Sequence, residues 1–353
     1  MNNLSFRQTI FLYLSDHLDG ERSVNSIFHI LTGKRSSQTI QDIKWYNLTK
    51  YFHMFPYWKI SDFTAETDEL VKYELIDTNE NLVRMTAKGK QYLTDFLLHY
   101  DWPAFFNGWK YGQAESLFWK RVSLLIQCLS YALAKNRSFL PVFEEEEVQQ
   151  WLKQRWPKND KTKQVLADAL LGELFQLLEQ LSNQDAFLFS YRLSGYNYTG
   201  LTMRQLSEMT LLEEDECYFR FQAVIHYLLE HVDQTTYLKE AAYNLIEKTV
   251  LTRTTKHTLY YLKQGFTMDE ISYIRQLKRS TIEDHVVEIA SEDEEFQIHQ
   301  YVSEYWKNLI VNKMKSEKTM KLKTIKEALP EPGVNYFIIR LTLAYYGGNH
   351  GNT

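Results

Sequence analysis

The sequence predicts a mainly α-helical, multi-domain protein, with helix-turn-helix and winged-helix-like units and a small β-hairpin wing near the N-terminus. Three observations lead there. Only 13 glycines and 6 prolines interrupt 353 residues, while helix formers such as Leu, Glu, Lys and Gln abound. Apolar residues recur at helical spacing along most of the chain. Capping boxes, in which a hydroxyl and a carboxylate satisfy two amides at a helix start, stand directly before such apolar runs.

The strongest local signal runs from Thr255 to Ala290. Gly265 follows Leu259 and Leu262 and can take the left-handed conformation that closes a helix. Thr267-Met268-Asp269-Glu270 is a capping box that opens a second helix, with Ile271 and Ile274 inward and small Ser272 where a crossing helix could approach. That helix gives way around Leu277-Lys278-Arg279. Ser280-Thr281-Ile282-Glu283 is another capping box, and Ile282, Val286 and Ile289 follow it at helical spacing. Two capped helices joined by a short turn are a helix-turn-helix. Lys278, Arg279, Ser280 and Thr281 set two cations and two hydroxyls at the N-terminus of the last helix, where amides and dipole favour a phosphate. Glu283, Asp284 and Glu288 on that helix would repel phosphates and argue against sequence-specific reading. Capped helical hairpins also occur in proteins that never touch DNA.

The run from Gly265 through Thr267, Glu270, Ser272, Arg275, Leu277 and Ser280 to His285, with the later Leu322 to Pro330 and Tyr336 to Leu341, carries a resemblance. It resembles the helix-turn-helix domain at the C-terminus of some RecQ-family helicases, over roughly Val250 to Tyr346. A chain of this length ending in such a domain looks like the YpbB family of low-GC Gram-positive bacteria, whose gene commonly lies beside that of a short RecQ-type helicase. The resemblance implies a helicase accessory role in DNA repair or recombination, with a RecQ-type helicase as partner.

The first hundred residues read as a winged-helix-type unit. Phe6, Ile10, Leu14 and Leu18 keep helical spacing, Val24, Ile27 and Phe28 mark a second helix, and Gly33 stops it. Lys34-Arg35-Ser36 then stands ahead of Thr39-Ile40 and an acid, echoing Lys278 to Asp284. Lys34, Arg35, Ser36 and Gln38 are therefore candidates for holding a second DNA segment. Asp62 to Tyr73 reads as a helix, and Leu75 to Asp77 and Leu82 to Thr86 as two short strands followed by another capped helix. This order resembles winged-helix domains and would put Arg84, Lys88 and Lys90 at a DNA backbone; a packing module with a solvated hairpin is the alternative.

In residues 101–249, Trp102, Phe105, Phe106, Trp109, Phe118 and Trp119 could form a core, a surface for docking the helicase, or a platform for single-stranded bases. Glu144 to Glu147 belong in the first turn of a helix, and Lys158 to Lys161 reads as a linker or exposed turn. From Thr162 to Leu181 a helix presents an apolar stripe from Val165 to Leu178. Leu201 to Ser207 shares its frame with Phe266 to Ser272, which leaves a further helix-turn-helix open, although Glu213-Glu214-Asp215-Glu216 argues against DNA there. After an acidic connector, Ser291 to Glu295, the sign reverses: Lys307, Lys313, Lys315, Lys318, Lys321, Lys323 and Lys326 stand against Glu317. Such a run can release phosphate counterions without reading sequence, or be a solvated face. Pro330 to Gly333 reads as a turn, Asn335 to Tyr346 as a buried helix, and residues 347–353 as a loose tail. The expected domains are 1–100, 101–249 and 250–346.

With 40 basic and 45 acidic residues, net −5, nothing attracts nucleic acid globally, so contacts must come from local patches. Cys128 and Cys217 form neither a disulfide framework nor a metal cluster, which fits the reduced cytoplasm. No basic leader and no long apolar run predicts a membrane segment. Phosphate-loop, zinc-protease and nucleophile-elbow motifs are missing, and His226 and His231 lie on different helix faces, so no cofactor or catalysis is expected. The leading expectation is a non-enzymatic DNA-binding accessory protein of a RecQ-type helicase. A sequence-specific transcription regulator and a helical interaction scaffold remain open.

Overall fold

The computed structural model describes residues 4–79, 82–103, 105–246, 250–317 and 319–347. Helices α1 (Phe6–Leu18), α2 (Val24–Thr32), α3 (Ser37–Trp45) and α4 (Ile60–Lys72) lead into β1 (Ile76–Asn79), β2 (Leu82–Met85) and α5 (Ala87–His99). Next come α6 (Gly108–Tyr111), α7 (Glu115–Leu133), α8 (Glu146–Arg155), α9 (Asp160–Leu178), α10 (Asn183–Ser190), α11 (Met203–Thr210), α12 (Glu214–His231) and α13 (Tyr237–Ala241). The chain closes with α14 (Arg253–Lys263), α15 (Met268–Arg275), α16 (Arg279–Glu292), α17 (Glu304–Glu317), α18 (Leu322–Ala328) and α19 (Tyr336–Gly347). The protein is mainly helical, with one small antiparallel hairpin pairing Ile76 with Met85 through Asn79 with Leu82.

Packing gathers these elements into two compact units, residues 1–9 with 96–247 and residues 10–95 with 248–353. In the first, Leu166, Leu170, Leu174 and Leu177 line one face of α9 and meet Val122, Leu125 and Leu129 of α7 and Ile225 and Leu228 of α12. Val165, expected on that stripe, is exposed instead. Asn159 caps α9, its side chain accepting from the Thr162 amide at 2.9 Å, so the stretch expected as a linker or exposed turn, Lys158 to Lys161, is exposed and holds the start of a helix. Only Glu146 and Glu147 of the glutamate run lie in the first turn of α8. The early aromatic rings are core: Trp109, Phe118 and Trp119 are buried, and Phe106 lies 4.9 Å from Phe219 and 4.7 Å from His226.

The second unit joins both ends of the sequence. Trp45 of α3 shares a core with Ile310 of α17, Ile325 of α18 and Ile339 and Leu343 of α19. Val286, Val287 and Ala290 of α16 pack with Leu341 and Ala344 of α19, and α3 lies against both helices. A 2.6 Å ion pair from Lys44 to Glu292 fastens α3 to the end of α16. The acidic connector therefore begins two residues later than expected, because α16 continues through Ser291 and Glu292.

Candidate nucleic-acid interface

The C-terminal three-helix unit is built from its breaks. Gly265, at φ +88°, closes α14, its amide donating to the Leu262 carbonyl at 3.0 Å and the next amide to Tyr261 at 3.2 Å. Thr267 and Glu270 complete the expected capping box: the Thr267 amide donates to the carboxylate at 2.8 Å, and the Glu270 amide to the threonine hydroxyl at 3.3 Å. Gln276 ends α15 in the left-handed region, and Ser272 donates its hydroxyl to the Leu277 carbonyl at 2.6 Å. Serine thus braces the turn. Ile271 is buried as expected, whereas Ile274 is partly exposed.

The expected second box at Ser280 does not form, because α16 begins earlier, with Lys278 at the cap position and no side-chain cap. Ser280 and Thr281 sit inside the first turn. Lys278 and Ser280 are exposed; Arg279 and Thr281 are half-buried. The Arg279 guanidinium pairs with Asp269 across the turn and approaches Glu283 at 3.5 Å. From His285 to Ser291 every residue of α16 is buried, so its first turn is the part that reaches solvent.

Of the three acids singled out on α16, Glu283 faces Arg279 of its own helix and the other two are bonded to other elements. Asp284 pairs with Arg340 of α19. Glu288 is buried and accepts from the Thr252 amide and from the hydroxyls of Thr252, at 3.0 Å, and Thr255, which ties down the start of α14. Burial raises its pKa above the ordinary carboxylate value. Arg275 and His285 are likewise structural. Arg275 donates to the Thr254 carbonyl at 3.0 Å and to the Thr258 hydroxyl, which lies 2.8 Å from His285 Nδ1. Burial, helped by the Arg275 charge, holds His285 down to about 4, so it is neutral at pH 7 and offers no charge to a phosphate.

The other predicted contacts are tethered differently. Ser36 caps α3, accepting from the Thr39 amide at 3.2 Å. Lys34 and Gln38 are exposed, Lys34 lying 3.2 Å from His29; Arg35 lies over the Phe52 ring at 5.8 Å and reaches the Val250 carbonyl at 3.5 Å. Thr39-Ile40 and Thr281-Ile282 do occupy the same helical positions, but Lys34 and Arg35 precede the cap, whereas Lys278 is the cap. The rest of α3, Thr39 to Ile43 and Trp45, is buried.

The expected lysine run is a broken one, split between α17 and α18. Lys313 pairs with Glu317 at 2.8 Å and Lys323 with Glu327 at 3.8 Å, while Lys307 holds Glu304 at 2.7 Å. Lys321 donates to the Gly20 carbonyl at 3.4 Å, beside Thr319 and the Met320 amide, both bonded to Glu21. Lys315 is exposed, and Lys318 lies outside the described residues. On the hairpin side, Lys88 donates to the Tyr73 carbonyl at 2.7 Å, and Arg84 and Lys90 are exposed.

The same geometry appears in the first unit. Thr202 and Gln205 form a capping box at α11, Leu211 ends that helix in the left-handed region at φ 61°, and Ser207 donates to the Leu212 carbonyl at 2.6 Å. Leu206 and Cys217 are buried where Ile271 and Ile282 are buried in the C-terminal unit. Arg220 stands at the position of His285 and reaches back to Asp185 of α10 at 3.0 Å. The entrance to α12, however, is acidic and occupied by the protein itself. The Glu213 carboxylate accepts from the Phe6 amide at 3.0 Å, and Asp215 pairs with Arg7 at 2.6 Å.

Among the described residues, no group of three or more His, Cys, Asp or Glu could hold a metal, and no helix is long and apolar enough to cross a membrane. A family model described as a helix-turn-helix domain matches residues 254–343. Over 332 residues the chain is 35% identical to Protein YpbB of Bacillus subtilis (strain 168), spanning 92% of this chain and 93% of that one. No solved structure matches.

Proposed function

The chain belongs to the YpbB family, and from its C-terminal helix-turn-helix we propose that it is a non-enzymatic DNA-binding protein serving a RecQ-type helicase in repair or recombination. One observation carries the DNA part. The first turn of α16, with exposed Lys278 and Ser280 and half-buried Arg279 and Thr281, opens without a side-chain cap, and two of the carboxylates behind it, Asp284 and Glu288, are engaged with other helices. An uncapped helix start beside cations suits a phosphate oxygen. The burial of the helix from His285 onward disfavours deep major-groove reading, and with it a sequence-specific regulator. Backbone contact would position the protein without specifying sequence. The helicase partner rests on the resemblance to RecQ C-terminal domains. We assign the DNA-binding domain to residues 250–346, with the exposed Lys34, Gln38 and Lys315 as secondary contacts, and a winged-helix role for the hairpin.

Titration of the full chain with unrelated duplex, forked and single-stranded DNA over a salt series tests this reading. Affinity should be sequence-blind. Lys278→Glu with Arg279→Glu should flatten the duplex salt dependence by about two charges' worth of counterion release. A single preferred operator, or a double variant that binds like wild type, would overturn it. Unwinding assays of the partner helicase with and without this chain test the accessory role; an unchanged rate would remove it.

A further inference from the structure

A second cationic site lies in the other unit, in a part of the chain that the helix-turn-helix does not use. A cleft of about 800 Å³ opens between the end of α7, the loop after it, α8 and the start of α9. Its floor is apolar, from Leu124, Cys128 and Leu152, and two aromatic rings, Phe139 and Trp156, stand in its walls. Lys135, Arg137 and Lys153 are exposed around it, and half-buried Lys163 completes four cations. The one carboxylate among the lining residues, Asp160, is paired with Lys163 at 2.9 Å. Asp160 is held below the ordinary carboxylate range by that lysine first, with Arg137 and Lys135 adding to it.

The rings are held in place. Phe139 is stacked on Tyr131 at 4.4 Å, and the Lys163 ammonium lies 5.9 Å from the Trp156 ring. Burial pushes the Cys128 thiol up to about 11, which leaves it protonated and makes the floor an apolar surface and not a nucleophile. Ordered rings next to several cations, over an apolar floor, match a ligand that joins a flat aromatic group to a phosphate. Bases stack on such rings whatever their identity, while the cations follow the phosphates.

We propose that this cleft binds a nucleotide unit, its phosphate among Lys135, Arg137 and Lys153 and its base against Trp156 or Phe139. The unit can come from a single strand of nucleic acid or from a free nucleotide. The test uses the full chain carrying Lys278→Glu and Arg279→Glu, which separates this cleft from the α16 turn. Binding of fluorescein-labelled oligo(dT) is followed by anisotropy at low salt, with unlabelled dTMP and a Glu-Tyr copolymer as competitors. Oligo(dT) should bind. Adding Lys135→Gln, Arg137→Gln and Lys153→Gln, all at exposed positions, should weaken binding by about tenfold or more, and Trp156→Leu by about fivefold or more. Displacement by dTMP at comparable concentration identifies a free nucleotide as the source; displacement by unlabelled oligo(dT) alone identifies a strand. Three outcomes overturn the proposal: no binding of oligo(dT) or dTMP, binding that the triple variant keeps, or displacement by the copolymer and not by nucleotides.

Discussion

The α10–α12 and α14–α16 units share a backbone plan and differ in what meets the start of their last helix. Both begin the middle helix at a Thr-Met with a capping box, end it on a left-handed residue, brace the turn with a serine hydroxyl, and pin the last helix back to the first. One then presents Glu213, Glu214, Asp215 and Glu216, and takes up the Phe6 amide and the Arg7 guanidinium of its own chain. The other presents an exposed Lys278 and a half-buried Arg279 that is paired with Asp269 and lies near Glu283. The backbone arrangement is thus common to both, and the four residues at the helix entrance are where the two units differ in charge.

Four experiments can break or sharpen that comparison. The largest effect is expected where the two pins differ in chemistry. Arg220 and Asp185 are each 3% exposed, so Arg220→Ala would strand a buried carboxylate and should cost about 3 to 5 kcal/mol in chemical denaturation. Replacing His285 by Ala removes one partner of the neutral Thr258 hydroxyl, which still accepts from Arg275, and should cost about 1 to 3 kcal/mol. Equal losses would mean that the pins are equivalent.

The second effect is an acid sensitivity confined to one unit. The folded value of His285 lies near 4, below its ordinary 6.5, so its contribution is complete above about 6.5 and is lost as pH falls toward 4. Glu288 has the opposite sign: raised by burial, it binds a proton more readily when folded and offsets part of the loss at the acid end. Arg220 keeps its charge throughout. Hydrogen exchange between pH 7 and 4.5 should show α14–α16 losing protection before α10–α12; parallel loss would remove His285 as the cause.

Third, Asp269→Asn should free Arg279 from one of its two carboxylates and strengthen DNA binding by about two- to fivefold. Unchanged affinity would exclude Arg279 from the contact. The smallest effect concerns the shared turn. Leu211 is 92% exposed yet left-handed, so Leu211→Gly sacrifices little packing and should gain up to about 1 kcal/mol. Gln276→Gly should gain as much if the two turns are alike; a clear difference in thermal denaturation would show that they are not.

What could be read in the sequence was local. The Gly265 break, the Thr267 box and the hairpin rest on contacts within a few residues, where residue type sets conformation directly. The shared frame of Leu201 to Ser207 and Phe266 to Ser272 was legible for the same reason. Pairs from distant segments were not: Arg340 on Asp284, and Glu288 beneath Thr252, carry no periodic signal. For that reason Asp284 and Glu288 read as repulsive when they are bonded within the fold. One signal was present and unused. Lys313 with Glu317 and Lys323 with Glu327 stand four apart, the spacing at which opposite charges meet on a helix. Glu327 lies one residue past the end of the lysine run.

The assembly of the second unit from two distant stretches of sequence has a consequence for dissecting the protein. Glu21 bonds Thr319, 298 positions away, and α3 covers α16 and α19 from the opposite end of the sequence. Excising residues 250–353 as a minimal fragment would uncover the surface on which Trp45 and Lys44 rest. Such a fragment should self-associate, and its nucleic-acid affinity should not be taken for that of the parent. The long sequence separation of these contacts also predicts that the unit acquires its native packing late in refolding, after the helical inserts that divide its two halves.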